Sequence, residues 1–582
     1  MNRHYFIALF LAIAMPANAF VQSRTGGGNA RHWDLVTLDA SVNTNVVNRS
    51  TRAIRYFLAS DGYSTTNTAA ELNAVRASFA QWQAVSGTIL KFEDAGTVAP
   101  GADINTSDHR NVVFWAKTSP LVNGGMTDIS GLLGITFTSF LSDGTITEAD
   151  IALNGFNYDW FTDFSDSNNP AQFVESTATH EIGHFIGLAH SPVGSASMLW
   201  VGNDGVDLQA GLSSDDIAAV RYVYRATNQI NARATLKGKV TKGGTGILGA
   251  AVTVEDTATN IVAGTVTGTD GSYEMPALPA GAYQVRVSPL DPIGSSDWLV
   301  RGRDISFDFD SADTGFLPTS GDNVTLTAGA TNTLNIAVVA GNPAFRISII
   351  RYPSLTSGSY RWASLPTALR PGQSNYFIGV ASADLPTSGA TLTLTGDGLT
   401  QGPVTFNPNA FGTGLNFIST KISVATNATP GMRTLIVQQG NDIAYANGFL
   451  EILPPMPDFN FDGLDDTFQR KYFSLFTSSN AAPNVDPDGD GFPNASEYAA
   501  GTNPTDAASL MKIDSVTHDA TGTTVAWRSV AGKRYQLLSR ALVGNGAWTA
   551  VGTPITAVGA TTQGFDASGT TGNRFYRVQV VP

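Results

Sequence analysis

The stretch His180-Glu181-Ile182-Gly183-His184-Phe185-Ile186-Gly187-Leu188-Ala189-His190 decides how this chain is read. Four residues along a helix make about 400° of rotation, so His180 and His184 leave the same face and can share one metal ion. Glu181 then stands beside that metal rather than on it. Gly187 is placed to end the helix in the left-handed conformation that glycine adopts at little cost, turning the chain so that His190 returns as a third ligand. Three neutral imidazoles leave one position of a zinc ion open. Zinc so held polarises a carbonyl and activates water, and a neighbouring carboxylate takes the proton. The expected chemistry is peptide-bond hydrolysis, with one catalytic zinc on His180, His184 and His190 and Glu181 as general base.

The full spacing resembles the metzincin clan of zinc endopeptidases and, within it, the matrixins, the matrix metalloproteinase family. Met198 lies in Ser197-Met198-Leu199-Trp200, at the matrixin distance after His190, and Ser191 matches as well. The resemblance implies that Met198 forms the methionine turn beneath the metal. It extends upstream to a strand, Thr51 to Phe57, and a helix that Thr68-Ala69-Ala70-Glu71 opens as a capping box. Leu72, Val75, Phe79 and Trp82 then recur at helical spacing and read as core. Gly131 to Phe137 resembles the family's substrate-binding edge strand, with Leu133, Gly134 and Ile135 alongside an extended peptide. Ala149 to Asn154 resembles the next strand. Leu212-Ser213-Ser214-Asp215-Asp216-Ile217 begins a closing helix, where the resemblance implies an Asp215-Asp216 pair against the methionine turn. The implied fold is α+β, a twisted mixed sheet with three main helices, in a multidomain chain that continues into several β-sandwich modules.

Three departures limit the analogy. Ile135 stands where matrixins place a histidine for a second, structural zinc, and His109 nearby reads as a solvated loop residue, so no structural zinc is expected. Leu199-Trp200-Val201-Gly202-Asn203 replaces the usual proline-containing segment, so the S1′ pocket does not follow by analogy. The chain has no cysteine, which excludes a cysteine switch.

Met1-Asn2-Arg3-His4 is a basic start, followed by an apolar stretch from Tyr5 to Met15 and the small-residue site Ala17-Asn18-Ala19. This reads as a signal peptide over residues 1–19, giving a secreted, extracellular or cell-surface protein without a membrane span after its removal. A lead segment, 20–50, precedes the protease domain, 51–226, and is too short for a typical folded prodomain. The net charge of −14 argues against a nucleic-acid partner, which needs a basic face.

From Ala234 onward short alternating runs with Gly, Thr and Pro turns signal all-β modules. Residues 234–340 resemble a carboxypeptidase regulatory-like β-sandwich, and 341–453 read as an Ig-like β-sandwich. Residues 456–510 carry two candidate calcium loops, and 511–582 form a C-terminal β-sandwich module. In the second loop Asp486, Asp488, Asp490, Phe492, Asn494 and Glu497 occupy positions 1, 3, 5, 7, 9 and 12 of an EF-hand-type loop, with Gly491 at position 6. In the first, Asp458, Asn460, Asp462 and Asp466 begin the same pattern, but position 12 is Gln469, without a charge. The unit resembles a dockerin or thrombospondin type 3 module, and a calcium-stiffened linker is its expected role. Polypeptides are the expected substrates, with surface or glycan attachment through the C-terminal modules. The alternative from another class is a catalytically inactive adhesion or matrix-binding protein whose β-rich, calcium-binding tail is the functional part.

Overall fold

The computed structural model describes residues 21–581, apart from 41, 168, 203–205, 207, 230–231, 257, 259, 292–299, 320, 354–359, 542–546 and 569–572. The expected signal peptide and Asn203 lie outside the described residues. The chain divides into two compact units, Met1–Phe459 and Asn460–Pro582.

The first unit begins with a mixed sheet. Its strands run in the order Val47–Asn48, Ala53–Ala59, Val112–Ala116, Ile146–Asn154 and Gly134–Phe140, with Phe92–Val98 also paired to Ala53–Ala59. Gly134–Phe140 is antiparallel to Ile146–Asn154 and lies at the edge, its outer side unpaired among the described residues. Three helices accompany the sheet: α1 (Thr68–Ala84), α2 (Val174–Phe185) and α3 (Ser214–Val223). Leu72, Val75, Phe79 and Trp82 are all buried, as their spacing demands. Phe79 stacks on Tyr56 of the sheet at 3.9 Å, and the Trp82 indole donates to the Thr179 carbonyl of α2 at 2.9 Å.

Two local expectations need correction. The first helix has no capping box: Asn67 is its N-cap and makes no side-chain cap bond. The Glu71 carboxylate instead accepts from the Tyr63 and Ser64 amides (2.7 and 3.0 Å) and the Ser64 hydroxyl (2.7 Å), pinning the turn that enters the helix. The edge strand starts at Gly134 rather than Gly131. Before it the Asn154 amide gathers the carbonyls of Ile129 and Leu132 (2.8 and 3.0 Å), which holds that stretch in a turn.

The lead segment packs into the core of the mixed sheet and its helices. Trp33 is buried and donates from its indole to the Phe185 carbonyl at 2.9 Å. Val21 and Ser23 pair with Gly187 and Ala189: Ala189 N–H donates to Val21 O (2.8 Å) and Ser23 N–H to Gly187 O (3.0 Å).

Two sandwiches come next in the same unit. One sheet centres on Ala234–Lys242 and its partner on Ala250–Asp256 and Gly281–Pro289, with Tyr273 and Tyr283 buried between them. In the next sandwich one sheet centres on Asn416–Val424 and the other on Gly431–Gln439 and Asp442–Ile452. The second unit holds two short helices, Asp466–Tyr472 and Asn494–Ala500, and then two three-stranded sheets around buried Val525, Trp527, Tyr535 and Leu537. Among the described residues no helix is long and apolar enough to cross a membrane.

Candidate active site and metal centre

Helix α2 carries His180 and His184 one turn apart and ends at Phe185. Gly187 lies just beyond it with φ +95°, the left-handed turn that sends the chain back toward His190. The three rings converge: Nε2 of His184 lies 3.1 Å from Nε2 of His180 and 3.2 Å from Nε2 of His190. Each Nδ1 faces a carbonyl oxygen, which only accepts, so each Nδ1 carries the proton. His180 donates to Ser197 O (2.7 Å), His184 to Leu188 O (2.9 Å) and His190 to Asp304 O. Three bare nitrogen lone pairs therefore point at one another. Burial holds all three rings below the ordinary imidazole pKa, His180 at about 3, so protons do not relieve the crowding. A cation does. Two nitrogens each about 2.05 Å from one tetrahedral zinc lie about 3.3 Å apart, so the donor set and its spacing fit zinc.

Glu181 is buried, and burial pushes its carboxyl up to about 7. It lies against the edge strand. A Cβ on Gly134 would meet Glu181 Oε1 at 2.9 Å, so a side chain there would have to displace the carboxylate. The Thr136 hydroxyl donates to Glu181 Oε2 at 2.6 Å. Met198 is buried under α2, and a Cβ on Gly183 would fall 2.1 Å from its sulfur. Asp216 holds the methionine loop by its backbone, accepting from the amides of Ser197 (2.8 Å) and Met198 (3.2 Å), while Ser213 also donates to it. Asp215 turns away from that loop's backbone, to the Ser191 hydroxyl (2.7 Å) and the Gly264 amide (2.8 Å).

Residues 48–225 match the matrixin family model. Residues 235–291 match the model described as the carboxypeptidase regulatory-like domain. No curated protein matches the chain. Among solved structures, the minor pilin of the Gram-positive pathogen Streptococcus agalactiae is 13% identical and covers 19% of this chain and 45% of its own, with a TM-score of 0.13. BcpA, the major pilin subunit of Bacillus cereus, is 11% identical over 38% of this chain and 69% of its own, TM-score 0.13. Fervidolysin from Fervidobacterium pennivorans, a keratinolytic enzyme related to subtilisin, is 12% identical over 40% and 33%, TM-score 0.13. Scores this low do not establish a shared fold.

In the matrixin domain Ile135 lies on the edge strand, paired with Ala152, and Leu133 precedes it, its carbonyl accepting the Asn154 amide at 2.8 Å. His109 is exposed, 3.7 Å from the Glu148 carboxylate. Reading the sequence missed Thr136, Gly183 and Asp304. Thr136 had a signal, since strand period places it on the face of Gly134; Asp304, 114 residues from His190, had none.

The calcium candidates differ from each other. Asp486, Asp488 and Asp490 bring carboxylate oxygens together, and Asp486 accepts from the Gly489 and Gly491 amides (2.9 and 2.8 Å). Asp490 accepts from the Phe492 amide at 2.8 Å. Glu497 is fully buried, and neither of its carboxylate oxygens has a hydrogen-bond partner, nor has Asn494 Oδ1. The Thr502 hydroxyl faces the Glu497 backbone carbonyl instead, at 3.5 Å. Such a buried carboxylate fits a hard cation. The first loop is knitted by amides: Asn460 and Gln469 both donate to Asp462 Oδ2 (3.0 and 2.8 Å). Asp466 is buried in the helix after that loop, and Asp458 falls in the first unit.

Proposed function

We propose that this chain is a secreted, zinc-dependent metalloendopeptidase of matrixin type that hydrolyses peptide bonds. One observation carries the reading: three imidazole lone pairs converge beside a buried carboxylate that borders a strand edge unpaired among the described residues. Zinc on His180, His184 and His190 would supply Lewis acidity toward a substrate carbonyl and toward water. The protein supplies the rest. An extended polypeptide adds to the outer side of Gly134–Phe140 through main-chain hydrogen bonds, which lays its backbone alongside Glu181. Glu181 takes a proton from water and later delivers it to the departing amine nitrogen. The Thr136 hydroxyl orients that carboxylate, and Met198, held by Asp216, supports the helix from below.

The second unit is read as a calcium-binding region in which Asp486, Asp488, Asp490, the Phe492 carbonyl, Asn494 and Glu497 hold one ion. Export follows from the reading of residues 1–19, and surface or glycan attachment is assigned to the C-terminal modules.

The test pairs elemental zinc analysis with cleavage of an unstructured protein such as casein. The parent chain should contain zinc and lose cleavage to a chelator. Glu181→Ala should keep the zinc and lose about 10²–10⁴-fold in rate, the worth of a positioned general base. Undiminished cleavage by Glu181→Ala would sink the mechanism.

A further inference from the structure

Two contacts to the third histidine come from beyond the matched matrixin span. Between the strands Gly281–Pro289 and Asp322–Leu326 the chain leaves the first sandwich, and the regulatory-like match ends at residue 291. The excursion is closed on itself near its start and tied to the sandwich at its far end. Asp291 and Val300 exchange hydrogen bonds, the Asp291 amide donating to Val300 O and the Val300 amide to Asp291 Oδ2, each 2.8 Å. At the far end the Asp313 amide donates to Leu248 O at 2.9 Å, and Lys242 pairs with the Asp313 carboxylate. Between these anchors the helical turn Gly302–Ile305 seats on the third histidine. The carbonyl of Asp304 accepts the His190 Nδ1 proton, and the carbonyl of Ile305 accepts the His190 backbone amide at 3.3 Å.

The seat is built rather than grazing. Ile305 is 1% exposed and shares an apolar cluster with Val21, Ala189, Leu199 and Val300. The Arg301 guanidinium grips the Asp304 carboxylate twice, at 2.7 and 2.8 Å, and lies 5.6 Å over the Trp200 ring. That grip shapes the turn whose carbonyl reaches His190. The other two histidines need nothing from outside: they sit on α2, and their Nδ1 partners, Ser197 and Leu188, are in the matrixin domain. His190 sits on a loop beyond Gly187. A loop histidine has no helical backbone to fix its ring, and the hydrogen bond at the second nitrogen sets tautomer and orientation.

We infer that the turn Val300–Ile305 is a positioning element of the zinc site, lent by the downstream sandwich, which fixes the ring of the third ligand His190. This inference rests on the reading of the three histidines as a zinc site. It makes the first sandwich, through its excursion, a working part of the metal centre rather than an appendage.

The experiment uses the full chain and measures zinc release to a metallochromic indicator under excess chelator, with circular dichroism as the fold control. Ile305→Asp drives a charge into the apolar seat, Arg301→Ala loosens the turn from the solvent side, and Ile305→Val is the conservative rescue. Ile305→Asp is expected to weaken zinc binding about 10–100-fold, the usual effect of losing a partner behind a metal ligand. Arg301→Ala should weaken it less, and Ile305→Val should hold zinc like the parent. Should Ile305→Asp fail to fold, Arg301→Ala decides. Variants that fold and retain zinc as tightly as the parent overturn the turn's role. A parent that binds no zinc, or binds it undiminished in His190→Ala, overturns the zinc reading and this inference with it.

Discussion

Replacing Gly187 by alanine tests how the third ligand is brought back to the helix. Gly187 has φ +95°, and a Cβ there would lie 2.2 Å from the Arg31 carbonyl oxygen and 2.8 Å from its carbon. The first effect costs about 1–2 kcal/mol, the penalty of a left-handed L-residue. The second cannot be relieved by a rotamer, because the obstacle is backbone. The lead segment must move, and with it the bonds Ser23 N–H to Gly187 O (3.0 Å), Ala189 N–H to Val21 O (2.8 Å) and Ser23 Oγ–H to Leu188 O (3.2 Å). At about 0.5–1.5 kcal/mol for each bond the whole loss is on the order of 3–6 kcal/mol. The compact unit that holds Gly187 runs to Phe459, and at about 2.1 cal/mol/K per residue for a unit of about 440 residues that loss lowers the melting temperature by roughly 3–7 °C. Calorimetry with zinc removed isolates the fold from the metal. Gly187→Asn separates the two causes, since asparagine tolerates positive φ but carries the same Cβ. It should recover at most about 1–2 kcal/mol of the loss, the left-handed share alone. Full recovery by asparagine, or an unchanged transition in the alanine variant, refutes the backbone clash.

Three further outcomes are expected from the same geometry. Thr136→Val keeps the shape and removes the donor to Glu181; kcat should fall about tenfold or more, for a hydrogen bond to a charged group of about 1.5–3 kcal/mol, with KM little changed and Thr136→Ser restoring the rate. Asp216→Ala strands the Ser197 and Met198 amides in the core at about 1–3 kcal/mol each, so chemical denaturation should register a loss of at least about 2 kcal/mol, and an unchanged midpoint would refute it. In chelator, Glu497 has a folded pKa near 7, raised by burial and by the neighbouring aspartates, above an unfolded value of about 4.3. Its protonated form is favoured in the fold, so stability of the second unit should fall as pH rises from about 4.3 toward 7. Calcium should remove that slope, and a slope unaffected by calcium in calorimetry would count against the site.

What could be read from the sequence was the part that local geometry dictates. His180 and His184 share a face because helical period requires it, and Gly187 announces its conformation because few other residues adopt it. The burial of Phe79 and Trp82 follows from spacing in the same way. The misreadings came where a side chain had two local options. Glu71 could cap its own helix or pin the turn before it, and it does the latter because Tyr63 and Ser64 offer three donors. Gln469 shows the converse: its missing charge was visible, but not that its amide would donate to Asp462. Asp304 was beyond reach, since a backbone carbonyl has no identity in sequence and only the folded sandwich brings it to His190.

The adjacent pair Asp215 and Asp216 shows how closely the matrixin domain is joined to the two sandwiches of the same unit. Successive helical residues point about 100° apart, so two neighbouring acids cannot serve one target. Asp216 faces inward and takes the methionine loop, with the N-cap Ser213. Asp215 faces outward and takes Ser191 and the Gly264 amide of the first sandwich, while Ser214 beside it donates to Val262 O at 2.8 Å. From the other side the Gly194 and Ser195 amides donate to Asn447 and Gly448 (2.8 and 2.9 Å), and Val193 and Ala196 pack with Val262 and Met432. The loop from His190 to Met198 is thus held by both sandwiches. A chain ended at residue 226 would bare that apolar cluster, leave Asp215 without its Gly264 donor and free His190 from Asp304. The matrixin match ends at residue 225, and the compact unit that supports the site runs on to Phe459.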